Sequence, residues 1–172
     1  LYEMFMGPLE ESKPWDDNGV SAARKFLDRI FRLYQEKKIE ESADKSLECL
    51  YHQTVKKVTE DYESLNFNTA ISQMMIFVNA VYKEDVFPRE YAKNFIKLLN
   101  PLCPHITEEI WHEVFKHDNT ISYEPWPTYD DSKMIDETFT MVVQVNGKVR
   151  GKIEVDSNTS KEEMENLAKD ID

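Results

Sequence analysis

Two prolines set three residues apart inside an amphipathic run constrain this chain more than any other feature. Residues 95–111 read Phe-Ile-Lys-Leu-Leu-Asn-Pro-Leu-Cys-Pro-His-Ile-Thr-Glu-Glu-Ile-Trp. Phe95, Leu98, Leu99 and Leu102 keep the i, i+3, i+4, i+7 spacing of one helix face, and Ile106, Ile110, Val114 and Phe115 continue it on the far side. One straight helix cannot hold both prolines. Pro101 lacks the amide that the helical ladder needs, while Pro104 suits the first turn of a new helix. Glu108 and Glu109 then fall near that helix's N-terminus, where negative charge is favourable. The stretch is a helix–corner–helix unit with a continuous apolar seam.

The rest of the chain supplies helices for such a seam to pack against. A helix over about 18–37 carries Ala22, Ala23, Phe26, Leu27, Ile30, Leu33 and Tyr34 as a wide apolar stripe, with Asp16, Asp17 and Asn18 as capping types before it. A second covers about 44–64 (Leu47, Leu50, Tyr51, Val55, Val58, Tyr62) and a third about 68–83 (Ile71, Met74, Met75, Val78, Tyr82). The fourth begins at Pro88 and the fifth ends near His117. Short connections make these five an antiparallel bundle. Leu1 to Met6 reads as the tail of an element already under way, and Gly7-Pro8 breaks it.

From Asn119 the character changes. Tyr123, Pro125, Trp126 and Pro127 predict an extended strap pinned on the bundle by Trp126, and a linker follows. The period then switches to two. Phe139, Met141, Val143 and Val145 precede Asn146-Gly147, and Val149, Gly151, Ile153 and Val155 follow it, which is a strong hairpin signal. A two-residue turn would set Val143 against Arg150 and mix the faces. A three-residue loop with Gly147 at a bulge sets Val143 against Val149 and Phe139 against Ile153, and is preferred because it keeps one face apolar. Ser160-Lys161-Glu162-Glu163 is a capping box that starts a short helix through Lys169. The expected architecture is mainly α: a helical bundle over 1–118, strap and linker over 119–138, and a truncated α+β domain, hairpin plus helix, over 139–172.

Charge narrows the partners. The net charge of −12 opposes indiscriminate binding to nucleic acid. Two basic islands stand out against it. Residues 21–38 hold Arg24, Lys25, Arg29, Arg32, Lys37 and Lys38 against only Asp28 and Glu36, and residues 139–153 hold Lys148, Arg150 and Lys152 with no acid. On spacing alone the first island reads as a solvated face whose Arg24–Asp28–Arg32 pairs contribute tenths of a kcal/mol. Islands on an acidic body also permit oriented binding to RNA.

No catalytic centre is legible. His105, Glu108, Glu109 and His112 share a helix face, but zinc sites want two histidines four apart or Cys/His clusters, and His112 and His117 are five apart. Capping or packing is the better reading for these histidines. The four glycines share no phosphate-loop motif, and Cys49 and Cys103 form no Cys-x-x-Cys pair. They read as free thiols of a cytoplasmic protein. No signal peptide or bilayer-length apolar run is present.

The proline corner Leu99, Pro101, Pro104, His105, Ile106, Thr107, Glu108, Glu109, Ile110, Trp111 resembles the pattern in the helical tRNA-binding domain of class I aminoacyl-tRNA synthetases for leucine, isoleucine, valine and methionine. Met6-Gly7-Pro8-Leu9-Glu10-Glu11-Ser12, Trp15 and Gly19 to Leu33 resemble the segment after the catalytic domain of leucyl-tRNA synthetases. Val142 to Lys152 resembles the start of the C-terminal domain of the bacterial family. The resemblance implies the tRNA-docking part of a leucine–tRNA ligase, with leucine tRNA and the catalytic part of the synthetase as partners and no membrane. Arg24, Lys25, Arg29 and Arg32, with Lys148, Arg150 and Lys152, become expected phosphate contacts that position the tRNA rather than read its sequence. It also implies recognition of tRNA body and long-arm shape, not of the anticodon. The family's His-Ile-Gly-His and Lys-Met-Ser-Lys-Ser signatures are absent, and Lys133-Met134 is followed by Ile135-Asp136. ATP and magnesium would therefore belong to the full-length enzyme, with no cofactor, metal or catalytic residue expected here. The competing reading is a free-standing acidic helical adaptor for protein–protein contacts.

Overall fold

A computed structural model describes all residues except 42–44, 135–137, 146–147, 157–158, 160, 162, 165–166 and 168–172. Between 138 and 156 it describes side chains only at Val142, Gly151, Ile153 and Val155. The chain forms two compact units, Leu1–Met134 and Ile135–Asp172.

The first unit is helical. In chain order it has α1 (Tyr2–Phe5), α2 (Asp17–Glu36), α3 (Glu48–Glu63), α4 (Phe67–Val81), α5 (Arg89–Leu99) and α6 (Pro104–Glu113). The apolar stripes meet in one core. Ile30 and Leu33 come from α2, Val55 and Val58 from α3, Ile71, Met74 and Phe77 from α4, Phe95, Ile96 and Leu99 from α5, and Ile110 and Trp111 from α6. Burying each large side chain contributes about 1.5–3 kcal/mol before chain entropy is counted. Several polar groups that enter the core are bonded, while the buried Nε2 of His117 has no hydrogen-bond partner among the described residues. The Tyr34 hydroxyl donates to the Ala92 carbonyl at 2.7 Å and that of Tyr62 to the Leu98 carbonyl at 2.8 Å, tying α2 and α3 to α5. Buried Asp61 accepts from Lys57 at 2.6 Å and from the Thr69 hydroxyl at 2.7 Å, closing the α3–α4 hairpin.

Three elements of this unit differ from expectation. β1 (Lys38–Glu40) and β2 (Val86–Pro88) pair in parallel and bring the end of α2 beside the start of α5. Three-residue strands are too short to carry a period-two signal, so the sequence does not announce them. Pro88 ends β2, and α5 starts one residue later. The second long helix starts at Glu48 instead of near 44, after a turn in which the Glu48 amide bonds the Lys45 carbonyl at 3.0 Å.

The strap lies along α3. The Trp126 indole donates to the Thr59 hydroxyl at 2.9 Å, as expected of a pin. The Asp130 amide donates to His52 Nδ1 at 3.1 Å, Lys56 pairs with Asp131 at 2.9 Å, and Lys133 pairs with Glu48 at 2.8 Å. Positions 48, 52, 56 and 59 recur on successive turns of one α3 face that holds the strap, and Gln53 beside it donates to the Met134 carbonyl at 3.0 Å.

The second unit pairs β3 (Thr138–Val145) antiparallel with β4 (Lys148–Asp156). The three-residue loop expected from the sequence is not the register found. Val145 faces Lys148 and Gln144 faces Val149, then a shift leaves Arg150 as the extra residue on β4 and sets Val143 opposite Gly151. Beyond it Met141 faces Ile153 and Phe139 faces Val155. A bulge placed further from the turn restores apolar-to-apolar pairing as well as one at the turn does. The Asn146-Gly147 turn itself lies outside the described residues. Lys161, Glu163, Met164 and Leu167 are helical, and the remainder of the expected capping box and helix also falls outside them.

Candidate nucleic-acid interface

The basic face of α2 is positioned by its own start. Asp16 accepts from the amides of Asn18 and Gly19, both at 3.1 Å, and so caps the helix. The Tyr2 hydroxyl accepts from the Asp16 amide at 2.8 Å, and the Tyr2 ring lies so close that a Cβ at position 19 would meet its Cε2 at 2.6 Å. Gly19 is therefore required by close approach. Ala23, Phe26, Ile30, Leu33 and Tyr34 bury the inner stripe, which turns Arg24, Lys25, Arg29 and Arg32 to solvent.

These four cations are not equivalent. Arg24 Nε pairs with Asp28 at 2.9 Å along the helix. Arg29 reaches across to α4: its guanidinium donates to Asn79 Oδ1 at 2.9 Å and sits 4.7 Å from the Tyr82 ring centroid. Among the described residues, no carboxylate lies within 4.0 Å of Lys25 or Arg32. These two are spaced seven residues apart, which is two turns and about 10.5 Å along the axis. Of the four cations on this face, these two are the ones left open to an anionic partner among the described residues. The Arg29 partners, Asn79 and Tyr82, were invisible to spacing arguments because about fifty residues separate them from it. Lys148, Arg150 and Lys152 all lie on β4, with Arg150 at the register shift; their side chains are outside the described residues.

The proline corner does structural work. Buried Thr107 donates to Asn100 Oδ1 at 2.7 Å and lies 3.1 Å from the Cys103 carbonyl, so it closes the turn between α5 and α6. Glu108 accepts from the Thr120 hydroxyl and from the Ile121 amide at 3.2 Å, clamping the start of the strap. Ile110 and Trp111 enter the core. His112 Nδ1 meets the His117 carbonyl at 2.6 Å while Nε2 faces Glu108 at 3.4 Å, a packing and bridging role. Trp111 stacks on His117 with ring centroids 4.0 Å apart.

This corner, its strap and the following hairpin lie within residues 44–165, which match the family model described as the anticodon-binding domain of tRNA ligase. The chain belongs to that family. A solved structure similar to this anticodon-binding domain is the leucyl-tRNA synthetase agnB2 LeuRS of Agrobacterium radiobacter K84, in a ternary complex with tRNA and LeuAMS. The similarity has a TM-score of 0.71 at 26% identity and covers 96% of this chain. It covers 23% of the synthetase chain, so the domain spans about a quarter of that protein. The family match begins after α2, whereas the structural likeness takes in nearly the whole chain. No helix among the described residues is long and apolar enough to cross a membrane.

Proposed function

We propose that this anticodon-binding domain docks leucine tRNA for a leucine–tRNA ligase and holds it so that the acceptor end reaches a distant catalytic centre. The observation that carries the reading is the likeness over 96% of the chain to a leucyl-tRNA synthetase solved with tRNA. Lys25 and Arg32 on α2 contact phosphates, Arg24 and Arg29 reinforce the field, and Lys148, Arg150 and Lys152 supply a second contact from the hairpin. Phosphate contacts of this kind fix orientation and read no bases, because phosphates carry no sequence. Held in place, the tRNA gains the proximity that chemistry elsewhere requires. ATP, magnesium and leucine belong to the catalytic part of the ligase, which acts in the cytoplasm. The domain itself performs no bond-making step.

The test is a binding titration of the chain against leucine tRNA and a short-armed tRNA at low and high salt. Tighter, salt-sensitive binding of leucine tRNA that weakens in a Lys25→Glu/Arg32→Glu double variant supports the proposal. Equal affinity for both tRNAs would sink the leucine assignment. Affinity indifferent to the double variant would remove α2 from the interface. The rival reading, an acidic protein adaptor, draws only on the net charge of −12 and predicts no tRNA binding at any salt.

A further inference from the structure

Among α1 to α6, α4 alone carries no acid. In a chain with 33 acidic residues and a net charge of −12, residues 64–83 hold neither Asp nor Glu. The outward stripe of α4 is Ser72, Ile76 and Asn79, on successive turns of one face, and Lys83 in the turn that follows extends it. All four are exposed, Ile76 by 52%. Among the described residues, no carboxylate lies within 4.0 Å of Lys83. The outward stripe of a surface helix usually carries several charges. This one offers a hydroxyl, an apolar side chain, an amide and a single cation.

The stripe adjoins the basic face of α2. Arg29 donates to Asn79 Oδ1 at 2.9 Å, and Lys25 and Arg32 lie one turn before and one turn after Arg29. A polyanion lying on those cations meets no repulsion from α4. The groups that α4 leaves open suit a sugar better than a phosphate. Asn79 Oδ1 is taken by Arg29, while its Nδ2 has no acceptor within 3.5 Å among the described residues. The Ser72 hydroxyl donates to the Asn68 carbonyl at 2.9 Å, so its lone pairs are what it can offer a ligand. A ribose 2′-hydroxyl both donates and accepts, and it is the group that tells RNA from DNA.

We propose that the α4 stripe extends the α2 phosphate face as a ribose-contacting surface. Asn79 Nδ2 and Ser72 Oγ bond 2′-hydroxyls of the tRNA, and Ile76 covers the apolar edge of the sugar between them. Asn79 is also a positioning residue, since it fixes the Arg29 guanidinium beside the stripe. The inference rests on tRNA docking and adds to it discrimination of RNA from DNA.

The experiment compares the affinity of the full chain for a leucine tRNA transcript and for a DNA copy of the same sequence. Ser72→Ala/Asn79→Ala should weaken tRNA binding about fivefold or more and leave DNA binding unchanged. Ile76→Glu, at an exposed position, should weaken tRNA binding about tenfold or more with the circular dichroism of the parent. An equal loss for tRNA and DNA in the Ser72→Ala/Asn79→Ala variant would overturn the ribose contact, because a loosened Arg29 affects phosphates of both. Tight tRNA binding by Ile76→Glu, with Lys25→Glu/Arg32→Glu still weakening it, would overturn the α4 surface and leave docking on α2 standing. No tRNA binding by the parent chain would overturn both.

Discussion

The Arg29 guanidinium lies 4.7 Å from the centroid of the Tyr82 ring, and the Tyr82 hydroxyl donates to the Arg29 carbonyl at 2.7 Å. The two residues grip each other from both ends and join α2 to the end of α4. Replacing Arg29 therefore removes a packing contact as well as a charge. Arg29→Ala is expected to cost about 1–2 kcal/mol in urea unfolding. Lys25→Glu and Arg32→Glu, whose side chains have no carboxylate partner among the described residues, should stay within about 0.5 kcal/mol of the parent. Tests of tRNA docking belong on the latter pair. Equal destabilisation by all three would contradict the geometry.

At the end of α3, Leu65 occupies the left-handed position after the cap, where its amide bonds the Tyr62 carbonyl at 3.3 Å and that of Asn66 bonds the Asp61 carbonyl at 2.7 Å. This double bond pattern is the one that glycine usually completes. Leu65→Gly relieves left-handed strain of about 1–2 kcal/mol and gives back part of it to the entropy of the unfolded chain. The expected net gain is up to about 1 kcal/mol, read as a higher urea midpoint at unchanged m-value.

His52 holds the strap in its neutral form, since Nδ1 must accept the Asp130 amide. Burial first, and then the charge of Lys133, lowers its pKa, against smaller opposing effects of Glu48, Asp130 and Glu90. The folded pKa lies below the unfolded one, so this contribution to stability is complete above about pH 6.5 and is lost as the pH falls from there through the folded value. The melting temperature should drop between pH 7.5 and 5.5, and His52→Asn, which keeps an acceptor without the titration, should flatten that slope. An unchanged slope in the variant would assign the pH dependence elsewhere.

Glu108 titrates in the opposite sense. Burial raises its pKa, but hydrogen bonds from Thr120, Ile121 and Ser122 and the charge of His112 outweigh it, and the net shift is downward. Its contribution is present above the usual carboxylate range near 4.3 and disappears as the pH falls through the depressed folded value. Glu108→Gln should lower stability at pH 7 and narrow the difference between pH 7 and pH 4. Loss of fluorescence from strap residue Trp126 before global unfolding would locate the opening.

Thr107 offers a test of the corner without a charge. Thr107→Val keeps the shape but leaves Asn100 Oδ1 without the 2.7 Å bond. The expected loss is about 1–3 kcal/mol, because an unmade bond near the core costs more than a made one contributes. Retained stability would mean that water replaces the hydroxyl there.

How far the sequence can be read follows from the range of each signal. The apolar period of 3.6 in α2 to α6 located every long helix, and the Pro101–Pro104 interruption located the corner between α5 and α6. The Trp126 pin was also legible, because one large aromatic in a proline-rich strap has few places to go. Short or distant features were not. The β1–β2 pair joins residues 48 apart through three positions each. In the hairpin, a two-residue turn with a later bulge and a three-residue loop both keep the faces apolar, so pattern could not choose between them.

What the residues determined by themselves is local: which segments become helix or strand, where the chain must turn, and where like charges gather. Those properties depend on backbone sterics and on periodicities that neighbours in sequence set together. What only the tertiary structure decided is which of the gathered charges remain available. Arg24 and Arg29 are drawn to Asp28, Asn79 and Tyr82, while Lys25 and Arg32 are not. That division rests on distances between helices joined by long stretches of chain, and no spacing along one helix contains it.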